Sequence, residues 1–264
     1  MTTELKKNGT GLPLALCGKR VIAEAIRSGR MLEKVFIVYG TEHSIIEELK
    51  HEAKKTGIPI TITDKNQFYH LEKDCGLKKG ESQGIIALCR PYHTKTLQEA
   101  VELAYNQSEN PIFVLVDEIH DPNNLGAIIR SCAAAGVAAV IAPNIRSAAF
   151  TPSAVKAAAG GLEYVDIVKS DNLTSSLKDC KAAGFYCIGS DSAASPHSKP
   201  YSQVDFSKAI LLAVGNENKG LSPEIKKLCD DIVYIPMIGP IDSLNASVAT
   251  GVMLFEILRQ RKTH

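Results

Sequence analysis

The amino-acid sequence predicts an α/β protein with a mostly parallel sheet. Segments rich in Val, Ile and Leu alternate along the chain with segments whose apolar residues recur every three or four positions, the period of an amphipathic helix. The apolar segments 112–116 and 210–214 are continuous runs, which is typical of parallel strands covered by helices on both faces. The chain has 264 residues, of which 45% are hydrophobic, so it can bury the core of one large domain or of two smaller ones.

This alternation divides the chain into two units. We expect a loose N-terminal segment at 1–16, a first unit at 17–90, a linker at 91–110 and a second unit at 111–264. In the first unit, apolar residues at helical spacing begin after Gly18 and stop at Gly29, and short apolar strands follow. The elements expected in the first unit and linker are helices at 21–26, 44–55, 65–73 and 97–106 and strands at 35–39, 60–63 and 84–89.

The second unit continues the same pattern. Strands are expected at 112–117, 138–142, 164–168, 185–189, 209–214 and 232–235, and helices at 124–135, 152–159, 172–183, 222–230 and 245–261. Three polar segments, beginning at Asp117, Val214 and Ile235, each follow a predicted strand. Because ligands of parallel α/β sheets bind at the carboxyl ends of the strands, we expect these segments to form one site.

Composition excludes several classes of protein. The 30 basic and 29 acidic side chains nearly balance, so net charge argues neither for nor against a nucleic-acid partner. Seven scattered cysteines without a Cys-x-x-Cys pair indicate reduced thiols in the cytoplasm and no metal site. The early apolar run 12–17 contains Pro13 and is too short for a signal sequence or a membrane span. Dinucleotide, P-loop, zinc-protease and nucleophile-elbow motifs are all missing from the sequence.

The first polar segment runs from a strand through Pro122 into a helix. An N-cap role explains Asn123 or Asn124 in part, because Asn side chains accept hydrogen bonds at helix starts. It does not explain Arg130, which shares a helix face with small residues such as Gly126. A solvated surface arginine is the simplest alternative for Arg130.

The other two polar segments also have simple alternatives. The segment 215–221 can be an ordinary strand-to-helix turn, since Ser222 is a sound N-cap residue before a proline. In the third segment, Ser243, Asn245 and Ser247 stand at alternate positions before a long helix. One helix cap needs only one such side chain, so three exceed that need.

Together the three segments resemble the motifs of the SpoU (TrmH-type) branch of the SPOUT RNA methyltransferases. The first matches the family's Asn-x-Gly-x-x-x-Arg pattern, and the second its Gly-x-Glu followed by Gly-Leu, with Asn216 where Ser is common. The matching residues are Asn124, Gly126, Arg130, Gly215, Glu217, Gly220, Leu221, Pro236, Met237, Gly239, Ser243, Leu244, Asn245 and Ser247. In the first unit, Gln83-Gly84-Ile85-Ile86-Ala87 resembles the end of the family's RNA-binding domain, with Ser82 where His is common.

This resemblance implies a fold and a reaction. The fold implied is a SPOUT domain with a deep C-terminal trefoil knot, preceded by a small RNA-binding domain similar to ribosomal proteins, in a homodimer. The reaction implied is methyl transfer from S-adenosylmethionine to a ribose 2′-hydroxyl. The resemblance assigns Arg130 to the 2′-oxygen and its phosphate, as a base or as an electrostatic group. It assigns orienting roles to Asn124, Glu217, Ser243 and Asn245.

The resemblance also implies a cofactor site and a substrate. The cofactor residues implied are Val214, Gly215, Asn216, Glu217, Gly220, Ile235, Met237, Ser243, Leu244 and Ala246. The expected substrate is a guanosine in 23S rRNA; a tRNA ribose and an antibiotic-resistance site in rRNA are alternatives. An alternative of another class is a non-catalytic RNA-binding factor in ribosome assembly. The candidate RNA contacts of the first unit are Lys19, Arg20, Arg27, Arg30, Lys78 and Lys79.

Overall fold

A computed structural model describes most of the chain, and its elements follow the predicted alternation. The described residues are 14–41, 44–89, 92, 94–143, 151–191, 198–217 and 219–262. Residues 1–13 of the expected N-terminal segment lie outside them. The first unit contains β1 (Leu14–Cys17), α1 (Lys19–Arg27), β2 (Leu32–Val38), α2 (Ser44–Thr56), β3 (Ile60–Thr63), α3 (Lys65–Asp74) and β4 (Ile85–Cys89), and the connector contains α4 (Leu97–Gln107).

The second unit contains β5 (Ile112–Val116), α5 (Pro122–Ala134), β6 (Ala139–Pro143), α6 (Pro152–Ala158), β7 (Asp166–Ser170), α7 (Leu173–Ala182), β8 (Tyr186–Asp191), β9 (Ser198–Pro200), β10 (Ile210–Val214), α8 (Pro223–Leu228), β11 (Asp231–Tyr234) and α9 (Ala246–Lys262). A short 3-10 helix, Gly161–Glu163, follows α6. Every strand and helix predicted in this unit is present.

The first unit is built on a four-stranded sheet of order β1-β4-β2-β3. β1 and β2 run antiparallel to β4, and β3 runs parallel to β2. The assignment of residues 14–16 to a loose segment was wrong, because they belong to β1, which pairs with β4 from Leu14↔Cys89 to Cys17↔Ile86. A strand of four residues has no clear sequence pattern, so only its partner strand defines it.

The second unit contains a seven-stranded sheet of order β7-β6-β5-β10-β8-β11-β9, in which all neighbouring strands are parallel. The predicted α/β fold with a mostly parallel sheet is confirmed. β5 and β10 lie at its centre and are buried along all five of their residues, which accounts for their continuous apolar runs. The short edge strand β9 was not predicted.

Helices cover both faces of this sheet. α5, α6 and α9 share one core with one face, and α4, α7 and α8 share a second core with the other. α5 and α6 are in backbone contact, since a Cβ on Gly126 would lie 2.4 Å from the carbonyl oxygen of Ala154. A glycine is therefore required at this point of α5.

The two units pack against each other. Apolar residues of α1 and β4 belong to the same core as those of α5 and α6. Lys156 of α6 donates a hydrogen bond of 3.0 Å to the carbonyl oxygen of Glu81 in the first unit. Among the described residues, no helix is both long and apolar enough to cross a membrane.

Candidate functional site

The three polar segments lie side by side at the carboxyl edge of the seven-stranded sheet. The second and third segments, together with the end of β8, surround a cleft whose empty space, including its open mouth, is about 490 Å³. The lining residues are Ser190, Asp191, Val214, Gly215, Asn216, Glu217, Gly220, Ile235, Met237, Ser243, Leu244, Ala246 and Ala249. The ten residues that the sequence assigned to a cofactor are all among them.

Three lining residues were not predicted. Ser190 and Asp191 end β8, and Ala249 lies in the first turns of α9. β8 stands between β10 and β11, with Ser190 opposite Val214 and Asp191 opposite Tyr234. This strand order, rather than any local motif, brings the end of β8 into the site.

One carboxylate connects the three segments. Oε1 of Glu217 accepts hydrogen bonds from Nδ2 of Asn124, at 2.7 Å, from Nδ2 of Asn245 and from the backbone N–H of Ala246, at 3.3 Å. Nδ2 of Asn245 also lies 2.9 Å from Oδ1 of Asn124. Residues separated by up to 121 positions thus form a single cluster, which we call the Asn124–Glu217–Asn245 cluster.

Helix capping explains the neighbouring polar residues. The N-cap of α5 is Asp121, whose carboxylate accepts from the backbone N–H of Asn123 at 3.0 Å. The cap interpretation of Asn123 or Asn124 was therefore wrong, and the amide of Asn124 faces Glu217 instead. At α9, Oδ1 of Asn245 accepts from the backbone N–H of Ser247 at 3.0 Å, so Asn245 both caps a helix and belongs to the cluster.

The loop after β10 folds back on itself. The backbones of Asn216 and Gly220 exchange hydrogen bonds of 3.1 and 2.8 Å. A Cβ on Gly215 would lie 2.2 Å from the carbonyl carbon of Gly220, and Gly220 has φ +67°. Both positions therefore demand glycine. The fold-back places Glu217 at the tip of the loop and Gly220 at its base.

Arg130 and Ser243 stand apart from the cluster. Arg130 is exposed on α5 and makes no hydrogen bond or ion pair with any residue that the structure describes. Its backbone is covered by the 3-10 helix, since a Cβ on Gly161 would lie 3.2 Å from Cα of Arg130. Ser243 lines the cleft. The guanidinium of Arg130 is thus available to a ligand that approaches from solvent.

The basic residues proposed for the first unit fall into two groups. Arg27 pairs with Glu48 at 2.6 Å and Glu24 at 3.5 Å, and the hydrogen bond that Arg27 donates to Glu48 raises the pKa of Arg27. Arg30 is mostly buried between Tyr92 and Glu163. The inclusion of these two arginines as RNA contacts was therefore not supported, because their charges serve intramolecular pairs. Lys19, Arg20, Lys78 and Lys79 have no ion-pair partner within the described residues.

The cysteines are not candidates for nucleophilic chemistry. Burial raises the pKa of Cys17 and Cys75 to about 11 and that of Cys180 and Cys229 to about 12. Thiols with such pKa values stay protonated at neutral pH and react poorly. In the described part of the chain, no group of three or more His, Cys, Asp or Glu side chains is arranged to hold a metal ion.

Known proteins share this fold and its motifs. The model of the SpoU rRNA Methylase family matches residues 111–255, and a model described as RNA 2′-O ribose methyltransferase substrate binding matches residues 15–95. A putative TrmH family tRNA/rRNA methyltransferase of Bacillus subtilis, YacO, is 31% identical over 92% of this chain and 94% of its own. An uncharacterized tRNA/rRNA methyltransferase of Synechocystis is 34% identical over 93% of this chain and 62% of its own.

Solved structures of SpoU methyltransferases have a similar fold. The SpoU methyltransferase AviRb of Streptomyces viridochromogenes, in complex with the cofactor AdoMet, superimposes with a TM-score of 0.74 at 25% identity, over 95% of this chain and 91% of its own. The TrmH/SpoU tRNA modifying enzyme of A. aeolicus is 32% identical and covers 63% of this chain and 85% of its own, with a TM-score of 0.53. The motifs of this chain form one cluster, and the family model matches most of its second unit. This chain therefore belongs to the SpoU rRNA methylase family of RNA methyltransferases.

Proposed function

We propose that the protein transfers the methyl group of S-adenosylmethionine to a ribose 2′-hydroxyl of RNA. The observation that carries this proposal is the Asn124–Glu217–Asn245 cluster at the tip of the loop that borders the cleft. A hydroxyl held there can attack a methyl carbon presented from the cleft. The new C–O bond forms as the C–S bond breaks, S-adenosylhomocysteine leaves, and the hydroxyl proton passes to solvent.

The cleft fits the cofactor. Its walls combine apolar side chains, Ile235, Met237 and Leu244, with the loop 215–220, which folds back tightly because residues 215 and 220 are glycines. These features suit a flat adenine ring that is recognised largely by backbone groups. When bound, S-adenosylmethionine supplies an electrophilic methyl group on a positively charged sulfur.

The side chains around the cleft then have distinct roles. The Asn124–Glu217–Asn245 cluster is already connected by hydrogen bonds, so it holds the ribose without reorganisation during the reaction. The exposed guanidinium of Arg130 can pair with an RNA phosphate and stabilise negative charge on the 2′-oxygen. Ser243 adds a hydroxyl to the cleft wall.

We propose that the segment from β11 to α9 forms a trefoil knot. β11 lies beyond β8, on the far side from β5, yet the following residues bring Asn245 back to Asn124 of α5. On that path, Met237 and Leu244 line the same cleft as the loop after β10. A chain that crosses a neighbouring loop and returns to the opposite side of the sheet is the path that such a knot requires.

We also propose a homodimer that forms through α9. Val248 and Phe255 of this helix are 51% and 54% exposed, although both are large and apolar. Gly251 lies between them, and a Cβ there would meet only Ser131 within 4 Å, so a second helix can approach closely. An apolar stripe with a central glycine suits helix packing between two copies of the chain.

The RNA-binding surface proposed for the first unit is one edge of its sheet. Lys19 and Arg20 begin α1, and Lys78 and Lys79 precede β4. The two segments are neighbours because β1 and β4 pair, and a Cβ on Gly18 would lie 3.8 Å from Oε1 of Gln83. Four cations that form no ion pair with the residues described here suit the phosphates of a folded RNA.

We propose rRNA, and a guanosine in 23S rRNA, as the substrate, because this basic edge belongs to a substrate-binding domain of its own. The test is to map 2′-O-methyl groups in rRNA and tRNA of cells with and without the gene. Loss of one rRNA mark is expected, restored by the wild-type gene but not by the Arg130→Ala variant. Loss of a tRNA mark with intact rRNA would overturn the choice of substrate. Calorimetry that detects no S-adenosylmethionine binding would favour a non-catalytic assembly factor instead.

A further inference from the structure

A charged side chain with no place in the family motifs lines the cofactor cleft. Asp191 ends β8, where it stands opposite Tyr234 of β11, and its side chain is 16% exposed. Lys226 of α8 pairs with its Oδ2 at 2.6 Å. Of the lining residues, only Asp191 and Glu217 are acidic. Because Glu217 is engaged by Asn124, Asn245 and Ala246, the role of Asp191 requires its own explanation.

The position of Asp191 in the cleft indicates which part of a ligand it meets. Its Oδ1 would lie 2.8 Å from a Cβ on Gly220, so it stands at the base of the folded loop. Glu217 stands at the tip, with the groups that would hold the ribose of the RNA. The reacting methyl group must lie near the tip, and the base of the cleft is therefore left for the adenosine.

The chemistry of Asp191 suits the sugar of that adenosine. An ionised carboxylate can accept about four hydrogen bonds, so it can serve hydroxyl donors beside Lys226. The pairing with Lys226 fixes the orientation of the carboxylate and compensates part of the cost of burying its charge. In other parallel α/β proteins, an acidic residue in the cofactor site accepts a hydrogen bond from a ribose hydroxyl of a nucleotide.

We propose that Asp191 is a cofactor-binding residue whose carboxylate accepts hydrogen bonds from the 2′- and 3′-hydroxyls of the adenosyl ribose, with Lys226 as its positioning partner. This inference rests on the proposed use of S-adenosylmethionine. It also gives Gly220 a second reason to be glycine, since any side chain there would displace the carboxylate. Because the ribose is common to substrate and product cofactors, Asp191 should bind both equally.

The test is calorimetry on the full-length protein with S-adenosylmethionine, S-adenosylhomocysteine and the 3′-deoxy analogue of S-adenosylhomocysteine. Asp191→Asn should weaken binding of the first two ligands by about tenfold each, as expected for loss of a charge-assisted hydrogen bond. The wild type should bind the deoxy analogue about tenfold more weakly than S-adenosylhomocysteine, whereas the variant should scarcely distinguish them. The wild-type comparison holds even if the variant folds poorly. Asp166→Asn, which removes the partner of Lys95 outside the cleft, should leave all three affinities unchanged.

Other outcomes would overturn the assignment. If Asp191→Asn weakens S-adenosylmethionine but spares S-adenosylhomocysteine, the carboxylate faces the positive sulfur rather than the ribose. If both ligands bind the variant less well but the wild type tolerates the deoxy analogue, Asp191 meets the adenine amino group. Unchanged affinities would remove Asp191 from the site. If the wild type binds none of the ligands, the proposed function fails rather than the role of Asp191.

Discussion

The hydroxyl of Tyr92 donates a hydrogen bond of 2.6 Å to Oε1 of Glu163 and so fastens the connector to the second unit. The guanidinium of Arg30, from the first unit, lies 3.6 Å from the centre of the Tyr92 ring and 3.4 Å from the other oxygen of Glu163. Burial and the neighbouring Glu163 raise the pKa of Tyr92, so its hydroxyl remains a donor at every physiological pH. Arg30, Tyr92 and Glu163 thus form a buried triad that joins the first unit, the connector and the second unit.

We expect Arg30→Met to destabilise the protein by about 3 to 5 kcal/mol, because it leaves the charge of Glu163 buried without its cationic partner. The side chains of Arg30 and Glu163 are only 14% and 7% exposed. Arg27→Met, which removes an exposed ion pair from the same unit, is the matched control and should change stability little. Urea denaturation followed by circular dichroism measures both. Equal stabilities of the two variants would show that the triad does not hold the units together.

The triad also marks the limits of prediction from sequence. The strands and helices of the second unit were predicted from periodicity, because long runs such as 210–214 are buried on both faces. The triad joins residues 133 positions apart, so no local pattern identified Arg30 as structural. The same limit applies to Asp191, whose place in the cleft depends on strand order. The cap of α5 was misassigned because Asp121 and the asparagines after it have similar capping preferences.

We expect Asn124→Ala to lower methyl transfer by about a hundredfold, the size of effect produced when reacting groups lose their alignment. The change removes the hydrogen bond to Glu217 and leaves Asn245 with one partner fewer. Asn123→Ala is the matched control, because among the described residues the Asn123 side chain hydrogen-bonds only to the cap residue Asp121. The measurement is single-turnover methylation of RNA with labelled cofactor. A similar loss in both variants would place the defect in the start of α5 rather than in the cluster.

For Arg130→Ala we expect methylation to be lost while the affinity for S-adenosylmethionine stays within about threefold. A threefold change in affinity is a change in binding free energy of less than about 1 kcal/mol. The affinity should be kept because Arg130 is exposed and lies outside the lining of the cleft. Lys178→Ala, which removes an exposed cation from α7, should retain full activity. Calorimetry and the methylation assay together separate the two effects. Near-normal turnover by Arg130→Ala would remove this arginine from the mechanism.

The edge of the large sheet should be sensitive to acid. Burial alone would raise the pKa of Asp231, but hydrogen bonds from Lys199, at 2.7 Å, and Tyr186, at 2.8 Å, outweigh it, and the pKa lies below its usual value. The folded state therefore binds this proton less readily than the unfolded state. The resulting stabilisation is complete above the unfolded pKa of about 4 and is lost as the pH falls through the lower folded value.

We therefore expect Asp231→Asn to be less stable than the wild type at neutral pH and to lose less of its stability as the pH falls from about 4 through the lower folded pKa of Asp231. Asp74→Asn, at an exposed residue near the end of α3, should retain the wild-type slope. Denaturation midpoints across this range provide the measurement. Parallel slopes for the wild type and Asp231→Asn would show that the pair with Lys199 does not contribute to acid sensitivity.

The last prediction concerns the basic edge of the first unit. Deleting that unit would expose the shared core and leave Glu163 without Arg30, so point substitutions give a cleaner test than truncation. We expect the combined change of Lys19, Arg20, Lys78 and Lys79 to Ala to weaken RNA binding at moderate salt. The plot of log affinity against log salt should become shallower by about 3, since each lost phosphate contact removes about 0.7 to 0.9 from the slope.

The matched control replaces Arg27, Lys50 and Lys55 with Ala, because these side chains are paired with glutamates and also carry positive charge. If the slope reflects contacts with phosphates at the basic edge, the control variant should keep nearly the wild-type slope. If the salt dependence reflects only the total charge of the unit, the slope should become shallower in both variants, in proportion to the number of charges removed. The second result would mean that RNA does not bind at this edge. In either case affinity for S-adenosylhomocysteine should stay unchanged, since the substituted residues all lie outside the cleft.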